Sequence, residues 1–127
     1  MKYSDFAEKL KSSESTLVLL HGEMGAGKTY FVTQVMKELA PTAKVTSPTF
    51  TIINQYTENI FHADLYRIKD SAELQNTDFF EILDGDNIFF IEWPYNNMPN
   101  DIYSKHNNII NVHIEVEHGQ KRKITVD

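Results

Sequence analysis

The stretch His21-Gly22-Glu23-Met24-Gly25-Ala26-Gly27-Lys28-Thr29 decides the fold. It reads Gly-x4-Gly-Lys-Thr, the pattern of a phosphate-binding loop. Leu17-Val18-Leu19-Leu20 precedes it, a short apolar run that suits a strand buried on both faces. Lys28 to Leu39 follows, with Phe31, Val32, Val35, Met36 and Leu39 at helical spacing and Pro41 as a stop. Strand, glycine-rich loop and helix in that order are the context such a pattern requires.

The residue types answer a chemical need. A triphosphate packs several negative charges into a small volume. Glycines at 22, 25 and 27 allow backbone N–H groups to turn toward phosphate oxygens. A helix starting near Gly27 adds its unpaired N–H groups and the positive end of its dipole. Lys28 is expected on the outer phosphates and Thr29 on Mg²⁺. Glu23, Met24 and Ala26 complete the loop.

Outward from the loop, the next informative stretch is Ile88-Phe89-Phe90-Ile91-Glu92-Trp93-Pro94. Four apolar residues read as a central strand with an acid at its carboxyl end. Ligands of open α/β sheets bind beyond that edge. Glu92 is therefore expected to hold Mg²⁺ through water or to orient the attacking water. Asp64, which closes Ile60-Phe61-His62-Ala63-Asp64, carries the same argument more weakly. Val45 to Thr51 is rich in hydroxyls around Pro48. Such a loop either senses the γ-phosphate and Mg²⁺ or is a plain turn before a strand over Ile52 to Thr57. Trp93 either packs near the nucleotide or fills the core. Arg67 is either an internal finger or a salt-bridge partner. Arg122 either touches the phosphates or base or is a solvated edge-strand residue. His21 and His62 lie on different elements and do not make a metal site.

The flanks complete an α/β outline. Ser4 to Lys11 spaces Phe6, Ala7 and Leu10 helically, with Ser4 as N-cap. Ser71 to Leu74 suggests a capped helical turn. Phe79, Phe80, Ile82 and Leu83 read as core packing. Asn96 to Lys105 is polar and reads as a mobile loop. Asn108 to Glu117 alternates, and Lys121 to Val126 follows Gly119-Gln120, which predicts an antiparallel hairpin. The expected fold is a P-loop NTPase-like three-layer sandwich with a mainly parallel central sheet and that C-terminal hairpin, one domain over 1–127.

Composition narrows the function. The 127 residues carry a formal charge of −6, which argues against autonomous nucleic-acid binding. There are no cysteines, hence no disulfide framework and no thiolate metal site. No stretch reaches transmembrane length, and the N-terminus lacks a signal-peptide core. A cytoplasmic protein with no membrane partner is the expectation.

Four segments together resemble the TsaE (YjeE) family of bacterial P-loop ATPases. They are Gly22 to Thr29, Ser47-Pro48-Thr49-Phe50-Thr51, His62-Ala63-Asp64-Leu65-Tyr66-Arg67 and Ile91-Glu92-Trp93-Pro94. Their order and spacing match from Leu17 to Pro94. Met24 stands where the family usually has Leu, and Tyr95 where an acid or Gln is frequent. The resemblance implies a role in the threonylcarbamoyladenosine modification of the adenosine beside the tRNA anticodon. It implies ATP and Mg²⁺ as cofactors and TsaD and TsaB homologues as partners, with tRNA met only through their complex. It implies an ATPase weak alone and stimulated by partners. By matching positions, Lys28 and Thr29 bind phosphates and Mg²⁺, Glu92 takes the Mg²⁺ role, and Asp64 acts in the site. Ser47 and Thr51 belong to a switch-like loop and Trp93 sits near the nucleotide. An acidic chain fits a protein whose partner supplies the RNA surface. Its scarcity of arginine fits transition-state charge supplied in trans. The competing functions are a small P-loop kinase, which would need more arginines, and a nucleotide-dependent binding module without useful hydrolysis.

Overall fold

A computed structural model describes residues 1–13, 15–45 and 52–127. Ser47 and Thr51, and the loop reading built on them, lie outside the described residues. Helix α1 (Tyr3–Lys11) leads into strand β1 (Thr16–His21), the phosphate loop and helix α2 (Lys28–Leu39). Strands β2 (Ile53–Thr57) and β3 (Ile60–Asp64) follow, then a 3-10 turn (Ser71–Asn76) and helix α3 (Phe79–Asp84). Strand β4 (Ile88–Glu92), strand β5 (Ile109–Val116) and strand β6 (Arg122–Val126) complete the order.

The strands form one sheet in the order β2-β3-β4-β1-β5-β6. Its middle is parallel: β1 lies between β4 and β5, and β4 between β1 and β3. Both outer pairs are antiparallel, β2 with β3 and β5 with β6. The C-terminal hairpin is the one the alternation predicts. The β2–β3 hairpin was not expected. It arises because only two residues separate the strands, too few for a parallel crossover.

Alternation along the strands splits the core into two layers. Val18, Leu20, Phe90, Ile110 and Val112 face α1 and α2, where Phe6, Leu10, Phe31, Val32 and Val35 meet them. Leu17, Leu19, Phe89 and Ile91 face the opposite way, against Leu65, Leu74, Phe79, Met98 and Tyr103. This is the expected three-layer sandwich, with a thin second layer made of one short helix, a 3-10 turn and loops.

Three local readings change. The α1 N-cap is Lys2, with no side-chain cap, and Ser4 lies inside the helix. The cap of the 3-10 turn is Asp70, whose carboxylate accepts from the Ala72 N–H at 2.9 Å. The 96–105 segment is anchored rather than loose. Tyr103 is 2% exposed and its hydroxyl donates to the Pro94 carbonyl at 2.6 Å. The Asn96 amide donates to the carbonyls of Leu65 (2.8 Å) and Tyr66 (2.9 Å). Asparagines that read as loop solvation instead satisfy backbone acceptors of the β3-to-3-10 connection. Among the described residues, no helix is long and apolar enough to cross a membrane.

Candidate nucleotide site

The parallel strands β1, β3 and β4 end together, and their carboxyl ends carry the predicted residues. In the β3–β4 register Asp64 lies opposite Glu92, and in the β1–β4 register Leu20 does. The loop from His21 therefore rises beside both acids. Gly27 is the N-cap of α2 at φ 105°, and Gly25 has φ 80°, conformations that side chains rarely adopt. Gly22 is required for a different reason. A Cβ there would lie 2.7 Å from the Ile114 carbonyl oxygen and 3.2 Å from the Ala26 methyl. The expectation that all three glycines serve backbone freedom is thus corrected for Gly22, which lets the loop lie against β5.

Lys28 is 5% exposed. Its ammonium donates to the carbonyls of Gly22 (2.5 Å) and Glu23 (3.2 Å) and sits 4.2 Å from the centre of the Trp93 ring. Burial pulls its pKa below the ordinary lysine value, and nearby Glu92, Asp64 and Glu23 oppose that pull. The Thr29 hydroxyl donates to Glu92 Oε2 at 2.9 Å across 63 residues of sequence. Glu92 itself is 4% exposed. Asp64 is half-buried. Desolvation raises its pKa, the Tyr66 N–H bonded to Oδ1 at 3.0 Å counters this, and the Glu92 charge adds to the rise.

Trp93 is not a core residue. It has φ 54°, a strained value for a bulky side chain, and stands half-exposed with Tyr66 at 5.0 Å between ring centres. The sharp turn after β4 is what carries its ring over Lys28. Arg122 is exposed at the start of β6, yet its Nε would lie 3.4 Å from a Cβ on Gly27, so its guanidinium stem lies against the loop. Met24, Glu23 and Gly25 are exposed at the loop tip, and Ala26 is buried. Arg67 is exposed on the connection after β3. An open cleft of about 710 Å³ adjoins the loop, lined among others by Gly22, Glu23, Trp93, Tyr95 and His113.

Sequence reasoning missed one feature. His62 is fully buried, and its Nε2 meets Glu92 Oε2 at 2.6 Å while Nδ1 meets the Tyr56 hydroxyl at 2.7 Å. The only available signal was the parity of His62 with Asp64 on one strand, two residues apart and so on one face. Among the described residues, no group of three His, Cys, Asp or Glu side chains could hold a metal by itself. The donor set does fit a divalent ion that keeps its waters and a phosphate ligand. It offers one hydroxyl and one buried carboxylate in contact, beside an ammonium and a helix N-terminus.

Strand order, loop and helix define a P-loop protein of the α/β class. The description "Threonylcarbamoyl adenosine biosynthesis protein TsaE" matches residues 1–124, and the chain belongs to the TsaE family. A tRNA threonylcarbamoyladenosine biosynthesis protein TsaE of Aquifex aeolicus is 36% identical over 128 residues, covering 96% of this chain and 83% of that one. The TsaE protein of Rickettsia typhi is 40% identical over 92 residues, covering 69% of this chain. That match spans 62% of the rickettsial protein's length. Bacillus subtilus YdiB, a crystal structure, superposes with a TM-score of 0.65 at 22% identity, over 98% of this chain and 76% of YdiB. That likeness speaks for the fold.

Proposed function

We propose that this chain is a Mg²⁺-dependent ATPase that supports threonylcarbamoyladenosine modification of tRNA by acting on a complex of TsaD and TsaB homologues. The observation that carries the reading is the Thr29–Glu92 hydrogen bond at the carboxyl edge of the sheet, one residue from the Lys28 ammonium. Lys28 exchanges its carbonyl partners for the outer phosphate oxygens. The α2 N-terminus and the loop N–H groups hold the inner phosphates. Thr29 and Glu92 would hold the magnesium ion. The ion supplies charge neutralisation on the phosphates when bound. Asp64, paired in register with Glu92, orients water at the same edge. Trp93 flanks the phosphates, and Arg122 lies close enough to the loop to contact them. Ser47 and Thr51 are assigned by motif to γ-phosphate sensing. A net charge of −6 and a family name tied to tRNA modification support contact with tRNA through partners.

The test is ATP hydrolysis with Mg²⁺, alone and with purified TsaD–TsaB complex and tRNA. Slow turnover that rises with the partners is the expected result. Brisk turnover indifferent to the partners, with no association, overturns the pathway reading. Transfer of phosphate to a metabolite would make the protein a kinase.

A further inference from the structure

We propose that His62 is a positioning residue, the last link of a polarised chain from Asn54 through Tyr56 that fixes one oxygen of Glu92. The inference rests on the role proposed above for Glu92. The Asn54 side chain hydrogen-bonds Tyr56 and works against part of the upward pull of burial on the phenol. Burial nevertheless pushes the Tyr56 pKa well up, and the phenol keeps its proton. In the chain proposed, the Tyr56 O–H donates to His62 Nδ1 at 2.7 Å. With Nδ1 accepting, the ring hydrogen sits on Nε2 and is donated to Glu92 Oε2 at 2.6 Å. Each donor is used in one direction.

The chain matters because the position of the Glu92 carboxylate decides where its charge is presented. A carboxylate turns freely about its last torsion, which has broad wells. Among the described residues, the two side-chain donors to Glu92 are Thr29 and His62, and both meet Oε2. Thr29 can keep donating its hydrogen to Oε2 while a lone pair of the same oxygen faces the ion, so the two donors hold Oε2 together. His62 is the fully buried one of the two and takes no part in holding the ion, so its contribution can be tested separately from Thr29. Its ring cannot answer by flipping, because it is fully buried and both nitrogens have partners.

A buried histidine that merely satisfies the core would affect folding and nothing else, so the test separates turnover from binding. His62→Leu is expected to lower kcat for ATP hydrolysis about 10–100-fold, as loss of a ligand-orienting partner does elsewhere. KM is expected to stay within about twofold. His62→Gln, whose amide nitrogen reaches the position of Nε2, should recover much of the loss. Tyr56→Phe should lower kcat in the same direction by less. Long-range ¹H–¹⁵N spectra of the wild type should show Nε2 protonated and Nδ1 accepting, with Nδ1 moving in Tyr56→Phe. Mg²⁺ titrations of ADP binding, read through the single tryptophan, should show a weaker Mg²⁺ effect in His62→Leu. If kcat of His62→Leu stays within about twofold while Glu92→Gln abolishes turnover, the positioning role falls and the Glu92 reading stands. Unchanged turnover in Glu92→Gln overturns both. Should His62→Leu not fold, His62→Gln, Tyr56→Phe and the spectra decide, and an Nδ1-protonated ring refutes the proposal.

Discussion

Replacing Gly22 by alanine tests whether this glycine serves packing rather than backbone freedom. The added methyl would stand 2.7 Å from the Ile114 carbonyl oxygen, where ordinary contact begins near 3.4 Å. Either the loop or β5 must yield by about 0.7 Å, the difference of those two distances. Strand β5 is hydrogen-bonded to β1 on one side and β6 on the other, so it yields poorly. Overpacking of this kind costs about 1–3 kcal/mol. For a domain of this size that lowers the melting midpoint by roughly 4–12 °C. Gly25 offers the control. Nothing lies within 4 Å of a Cβ there, and only its φ of 80° opposes a side chain. Gly25→Ala should cost about 1–2 kcal/mol, whereas D-alanine, which favours that φ, should restore the midpoint. Calorimetric unfolding of the semisynthetic and mutant proteins reads all of this. A Gly22→Ala midpoint within about 1 °C of wild type would refute the packing argument.

Lys28→Ala removes charge-assisted bonds to phosphate and should weaken ATP binding about 10–100-fold by titration calorimetry; unchanged affinity would dismiss the phosphate-loop assignment. Tyr103→Phe strands the buried Pro94 carbonyl and should cost about 1–3 kcal/mol in urea unfolding, while an equal midpoint would mean the 94–105 segment finds another donor. Asp64→Asn should raise thermal stability at neutral pH and lower turnover. The sign follows from its raised folded-state pKa. The ionised carboxyl is penalised in the fold, the penalty is complete above the raised value, and it vanishes below 3.8, the ordinary value. The stability gap between variant and wild type should therefore narrow on acidification, and a constant gap would refute this account.

Much of the fold was legible because its signals are local. The β1–loop–α2 unit and the β4 run ending in Glu92 each sit within a short window whose periodicity states its environment. Alternation from Ile109 to Val116 likewise states one wet face. What was not legible depends on residues distant in sequence. Tyr103 looks like one more loop aromatic until Pro94 offers its carbonyl. Trp93 could have gone either way, since its position follows from a strained backbone angle that no composition rule foretells. The His62–Glu92 contact joins two strands whose adjacency is set by sheet order. No property of His62 alone separates it from an ordinary buried imidazole.

Strand order also dictates when the phosphate loop can exist during folding. β1 leads into the loop, yet both of its sheet neighbours, β4 and β5, come from the far half of the chain. Loop closure over such separations is slow relative to helix formation. Helices α1 and α2 can pair early, because they are close in sequence and in contact. Gly22, by contrast, gains its seat only once Ile114 has docked. The seat of the phosphate loop is thus completed by a strand more than eighty residues further along the chain, and its shape depends on β1 and β5 having come together.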